Sequence, residues 1–128
     1  MKITKITAHA VKSGVGYQIG GGSRIDERLP NSDYYRLASH PQLYSDFSEA
    51  LVLEVETDEG LVGWGETAPM AGVRETIDTL YTPALVGRDP REVGTTWRTR
   101  WLAPFENRLA IGAIDIALHD LIGQALGV

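Results

Sequence analysis

Ala50–Glu66 reads ALVLEVETDEGLVGWGE, and the rest of the chain is organised around it. Leu51, Leu53 and Val55 alternate with Glu54 and Glu56, the period of a half-buried strand. Thr57-Asp58-Glu59-Gly60 is an acidic turn closing on Gly, which predicts a short hairpin loop with Gly60 at positive φ. Leu61–Glu66 returns as the second strand. With Thr57 facing Leu61, Val55 falls opposite Gly63 and Leu53 opposite Gly65. Large apolar residues beside bare glycines leave a groove that a helix backbone can enter. Val52, Glu54, Val62, Trp64 and Glu66 occupy the other face.

Upstream, Lys2–Val11 is rich in β-branched residues and reads as a first strand. Ser13–Phe47 holds five glycines and two prolines and keeps neither a helical nor a strand period. It is expected to be a long loop at about 13–47, and loops of that length in compact domains are usually functional lids or disordered. Its Tyr17, Arg24, Asp26, Arg28, Tyr34, Tyr35, Arg36 and His40 offer charge and flat apolar surface together. A mobile surface loop and a lid over a ligand are both compatible with that composition.

Downstream, Thr67–Gly72 is a second, shorter loop. Val73–Val86 carries Ile77, Leu80 and Tyr81 at helical spacing, Pro83 must break or restart that helix, and Gly87 ends it. Asp89-Pro90-Arg91-Glu92 starts another helix, expected to run to Trp101 or Leu102, with Asp89 as N-cap and Glu92 placed for a capping box. Its Trp97 and Trp101 are read as a core stripe. Asn107 caps a last helix to Leu126, closed by Gly127. Ile111, Ile114, Leu118, Leu121 and Ala125 form one seam of it, and Ile116, Ile122 and Leu126 a second, so the helix should be buried on several sides. His119 inside it is read as structural, because no partner cluster lies near it in sequence. A strand, a long connection, a hairpin and then helices make an α+β pattern: a three-stranded antiparallel meander followed by a helical bundle.

The chain has 128 residues, 43% hydrophobic and 23% charged, with a net charge of −5 and no cysteine. That bounds it to one domain of ordinary globular composition. The acidic balance argues against nucleic acid as a partner, and the missing cysteines exclude disulfides and thiolate metal sites. No apolar run is expected to approach the length of a membrane span, and the N-terminus lacks the apolar core of a secretory signal, so a cytoplasmic protein is expected. There is no P-loop, no nucleophile elbow and no paired-histidine zinc motif. Glu66 is the one acid placed where it could face a pocket, although a capping or ion-paired role is the simpler reading.

The segments VLEVETDEGLVGWGET (52–67), LVGRDPREV (85–93) and AIGAIDIALHDLIGQALGV (110–128), with MKITKITAHAV (1–11) before them, together resemble the amino-terminal capping domain of the mandelate racemase/muconate lactonizing enzyme group of the enolase superfamily. The resemblance implies an enolase-type N-terminal domain that works beside a β/α barrel. In such enzymes the barrel holds magnesium on three carboxylates and carries the acid/base residues that remove the proton α to a substrate carboxylate. The parent reaction would be that of an acid-sugar dehydratase or a racemase/epimerase, or else a cycloisomerase. The expectation is that residues 1–128 form the capping domain and that the catalytic barrel is absent from this chain. On that basis no catalytic residue and no metal ligand is assigned here. Ser13–Phe47 and Thr67–Gly72 match the two specificity loops by position, and Tyr17, Arg24 and Tyr34 are the residues expected to touch a carboxylate-bearing small molecule, with Arg24 the natural partner of its carboxylate. Expected partners are the barrel domain and further copies of the chain in a homo-oligomer. The alternative is a stand-alone binding or interaction module without catalysis.

Overall fold

The computed structural model of the chain describes all residues except 15–24, 39, 93, 96, 97 and 99–106, and of 25, 26 and 40–43 the backbone alone. The chain divides into two compact units, Met1–Val11 with Ala50–Val128, and Lys12–Glu49.

The first unit is built on a three-stranded sheet in the order β1-β5-β6, where β1 is Ile3–Ser13, β5 Ser48–Thr57 and β6 Val62–Thr67. The β5–β6 hairpin has the register read from the alternation: Leu53 pairs with Gly65, Val55 with Gly63 and Glu56 with Val62. Gly60 closes the turn at φ +81°, the left-handed region that costs Gly nothing and other residues a great deal. Thr57 clasps the turn, its hydroxyl donating to the Leu61 carbonyl at 2.9 Å. Cross-strand ties between β1 and β5 run in opposite senses, Lys5 to Glu56 and His9 to Glu54, as antiparallel neighbours require.

The buried face of the sheet carries Leu51, Leu53 and Val55 against α3, Arg108–Leu126. Ala110, Ile111, Ala113, Ile114, Ala117, Leu118 and Leu121 form the buried side of that helix. The glycines opposite them have the role predicted for them. A Cβ on Gly65 would stand 2.1 Å from the Ala113 carbonyl oxygen, and one on Gly63 would stand 2.4 Å from that of Ala117. The helix backbone therefore lies directly on β6. Large side chains fill the space that remains, each adding about 1.5–3 kcal/mol by its burial.

The same helix closes the outer edge of β6. Asp120 accepts the Trp64 amide at 2.8 Å, and the Gln124 amide donates to the Val62 carbonyl at 2.8 Å. An edge strand presents unpaired backbone groups that can recruit another chain; here two of them are occupied by side chains one helical turn apart. The caps of α3 follow the sequence reading: Asn107 accepts from the Ala110 amide, and Gly127 ends the helix in the left-handed region with Val128 N–H bonded to the Gly123 carbonyl.

Val73–Leu85 restarts at Pro83, one of the two outcomes expected there. It runs as α1 (Val73–Thr76), a π turn (Ile77–Tyr81) and α2 (Thr82–Leu85), with Pro83 in the first turn of α2. A proline cannot donate to the carbonyl four residues back and its ring crowds that carbonyl. The wider turn ahead of it relieves both problems. Asp89 caps the 3-10 turn Pro90–Glu92, accepting the Arg91 amide at 2.9 Å. The expected core stripe of Trp97 and Trp101 lies outside the described residues.

Two expectations need correction. By length and composition α3 is apolar enough to cross a membrane, 19 residues with a mean hydropathy of 1.4 over its best window. Its buried seam and its bonds to β6 make it a core helix in this fold. The stretch read as a long loop at about 13–47 also contains regular structure. It forms a second antiparallel sheet, β2 (Ile25–Arg28), β3 (Tyr34–Leu37) and β4 (His40–Ser45), in the order β2-β3-β4. The strands are short and the register slips twice, between Ile25 and Glu27 and between Arg36 and Leu37. Those irregularities erase the alternation a longer strand would show.

Candidate functional site

The second unit, Lys12–Glu49, contains the polar and aromatic residues expected to meet a ligand. Of the three assigned to substrate, Tyr17 and Arg24 lie outside the described residues. Tyr34 is described: it sits on β3 with its side chain partly exposed, and its hydroxyl donates to Glu49 Oε2 at 2.5 Å. Glu49 also lies 3.6 Å from Lys12 Nζ. Lys12 is hydrogen-bonded to Asp33 and stands 4.2 Å above the Phe47 ring. The bond to Glu49, reinforced by desolvation, pushes the Tyr34 phenol above its usual pKa, and the bond to Asp33 does the same for the Lys12 ammonium.

A second cluster lies on the same sheet. Arg28 makes a two-pronged contact with Asp46, at 2.7 and 3.4 Å, and its guanidinium is 5.2 Å from the centroid of Tyr35. Tyr35 stacks on Tyr44 with centroids 6.2 Å apart. The bond to Arg28 holds the Asp46 carboxyl below the usual carboxylate range. Arg36 approaches Glu27 at 3.8 Å. Each cation among the described residues of this unit thus already stands beside a carboxylate, and Tyr35 is buried rather than presented. The side chains of Asp26 and His40 are not described.

The sequence reading missed Lys12, Asp33, Asp46, Phe47 and Glu49. The two clusters depend on pairs 15 to 21 residues apart, and no local period could signal them. The β3–β4 pairing of Tyr34 with Ser45 and Tyr35 with Tyr44 would have placed Asp46 and Phe47 near the other members.

In the first unit, the acids of the hairpin face positive or donor groups. Glu54 pairs with His9, Glu56 with Lys5 and Glu59 with the Met1 ammonium, while Asp58 accepts the Lys2 amide. Glu66 is exposed on the outer face of β6, opposite Val52. His119 is exposed, its Nδ1 hydrogen-bonded to the Asp115 carbonyl at 2.9 Å within the helix. Among the described residues, no three His, Cys, Asp or Glu side chains converge as metal ligands. These residues do not fit a magnesium ion. The loop after β6 leads into α1 through Gly72, whose φ is +81°.

Residues 45–128 match the model of the mandelate racemase/muconate lactonizing enzyme N-terminal domain. A D-galactonate dehydratase of Xanthomonas campestris pv. campestris (strain B100) is 40% identical over 85 residues, which is 61% of this chain and 22% of that protein. The chain thus spans about a fifth of the length of that relative. A solved structure from Sinorhizobium meliloti superposes on 100% of the chain and 36% of its own length, with a TM-score of 0.81 and 26% identity. A mandelate racemase/muconate lactonizing enzyme-type protein of Roseovarius nubinhibens ISM, solved in complex with magnesium, gives 0.71 and 32% over 98% of the chain and 31% of that protein. The fold of this chain is therefore shared with solved proteins, and this chain belongs to the mandelate racemase/muconate lactonizing enzyme N-terminal domain family of the enolase superfamily.

Proposed function

We propose that residues 1–128 are the capping, substrate-specificity domain of an enzyme whose catalytic β/α barrel lies outside this chain. The observation that carries this reading is the 40% identity to a D-galactonate dehydratase over 61% of this chain. The parent reaction is then the removal of the proton α to the carboxylate of an acid sugar, followed by loss of the β-hydroxyl. A racemase or epimerase would share the first half of that chemistry. Such a step needs a positioned base and a stabiliser for the enediolate charge. A hard divalent cation such as magnesium supplies the latter when carboxylates converge in near-octahedral geometry, and this reading puts that convergence on the barrel.

In this reading Ser13–Phe47, with its small sheet, and the loop Thr67–Gly72 are segments that meet substrate, and Tyr17, Arg24 and Tyr34 are the contact residues. Arg24 takes the carboxylate or hydroxyl contacts, because Lys12, Arg28 and Arg36 already stand beside acids. The enzyme would be cytoplasmic and a homo-oligomer.

Isothermal titration of the 128-residue chain with magnesium, and a solvent-deuterium exchange assay on D-galactonate and related acid sugars, test the division of labour. The expected results are no micromolar metal binding and no label at the α-position. Tight binding, or label in any substrate, would place chemistry inside this chain. Reading the coding sequence beyond codon 128 tests the parent assignment. A continuation into alternating β/α units with three carboxylate ligands supports it, and a stop or an unrelated domain overturns it.

A further inference from the structure

Asn107 does more than begin α3. An N-cap needs one acceptor for a free amide of the first turn, and Ser, Thr or Asp supplies that as well as Asn does. Asn alone among the good caps that accept through a side chain carries amide donors too. Here its Oδ1 accepts from the Ala110 amide at 3.3 Å, while Nδ2 donates to the Gly72 carbonyl at 3.2 Å and to Thr76 Oγ1 at 2.9 Å. The contacts on both sides fix which end of the side chain is nitrogen. Thr76 completes a closed network, its hydroxyl donating to the same Gly72 carbonyl at 2.7 Å and its amide at 3.0 Å.

Gly72 is the last residue of the loop after β6 and the left-handed residue from which α1 starts. The loop's other described backbone bonds are local: Met70 N–H to the Ala68 carbonyl and Val73 N–H to the Met70 carbonyl. The bond from Asn107 reaches across 35 positions and joins the loop's end to the helix that lies on the sheet. From this geometry we infer that Asn107 is a positioning residue, which sets the conformation of Thr67–Gly72 from the start of α3. Its bearing on substrate choice rests on the specificity-loop reading above. The tether itself does not.

The test is NMR-detected amide exchange on the 128-residue chain. Asn107→Asp keeps the cap acceptor, adds a charge the helix N-terminus favours, and faces the Gly72 carbonyl with an oxygen that cannot donate. The Met70 and Val73 amides should exchange about 3–10-fold faster, while Ala110 to Leu121 exchange at the original rate or slower. Thr76→Val, which leaves the cap intact, should speed the same loop amides, and it carries the test if Asn107→Asp does not fold. Unchanged loop exchange in both variants, or equal acceleration of the loop and α3, would overturn the tether. If the loop loosens while the parent enzyme's preference among acid sugars stays the same, the tether stands and the specificity reading falls.

Discussion

The two units of this chain are held together by different physics. In Met1–Val11 with Ala50–Val128, seventeen buried apolar side chains among the described residues form one cluster, and backbone meets backbone where α3 crosses Gly63 and Gly65. In Lys12–Glu49, Tyr35 and Leu37 are the buried apolar residues among those described, and the unit's other side-chain ties include ion pairs, the Tyr34–Glu49 hydrogen bond, two cations over rings and stacked tyrosines. Apolar burial is worth about 25 cal/mol per Å² wherever it occurs, whereas an exposed ion pair contributes about 0–1 kcal/mol. The first unit is therefore expected to set the chain's stability. The second gains less from its own packing, as a segment that adjusts to a ligand under the proposed function would.

The largest effect should come from filling the groove. Gly65→Ala places a methyl 2.1 Å from the Ala113 carbonyl oxygen. That atom belongs to a helix backbone and cannot rotate away. The helix must lift off β6, and a loss of about 3 kcal/mol is expected, at the upper end of what overpacking costs. Urea denaturation followed by circular dichroism would measure it. A loss of less than about 1 kcal/mol would mean that α3 does not lie directly on the strand.

Salt should separate the two units next. About 1 M sodium chloride shortens the screening length to roughly 3 Å. Lys12–Asp33, Lys12–Glu49, Arg28–Asp46 and Arg36–Glu27 all involve exposed cations. Amide exchange in β3 and β4 should quicken with salt while that in β5 and α3 does not. Uniform behaviour across both sheets would contradict the contrast drawn between them.

What the sequence made legible follows the same divide. The hairpin register, the helix groove, Gly60 and the caps of α3 could be read because each depends on spacing within one element or on a neighbouring turn. The second sheet could not. Tyr35 and Leu37 do alternate with exposed Tyr34 and Arg36, but four residues carry too little period, and the bulges remove the rest. The bonds of Asp120 and Gln124 to β6 were equally hidden, because they join residues 56 and 62 positions apart. Of the proposed contact residues, Tyr34 is the one described, exposed on β3; Glu49 and Lys12 beside it come from strands distant in sequence.

A smaller effect should be seen at Asp89, an ion pair on the well-packed unit. Its bonds from the Arg91 guanidinium and amide hold the carboxyl well below its usual range. A depressed pKa in the folded state adds stability that is complete above the unfolded value and is lost as pH falls through the folded one. Asn in its place keeps the cap but not the charge. The melting-temperature gap between the natural chain and Asp89→Asn should therefore be largest near neutral pH and narrow below about pH 4. A gap that is flat with pH would show that Asp89 acts only as a neutral cap.

The smallest change in stability, and the most informative about function, is expected at Tyr34. Its hydroxyl donates to Glu49, and that bond, more than burial, raises its pKa above the usual 10.0. A phenol whose pKa is raised on folding stabilises the chain below the unfolded value, and that contribution disappears as pH climbs through the folded one. Tyr34→Phe keeps the ring and removes the hydroxyl. On a side chain this exposed the loss should be about 0.5 kcal/mol or less at neutral pH. The alkaline absorbance titration should change more clearly, because a tyrosine ionisation displaced above the usual 10.0 should vanish. If instead an ordinary tyrosine step is lost, Glu49 does not hold the hydroxyl in solution, and Tyr34 is free to donate to a ligand. If the displaced step is the one that goes, a ligand reaching this unit must either displace Glu49 or use the face of the ring.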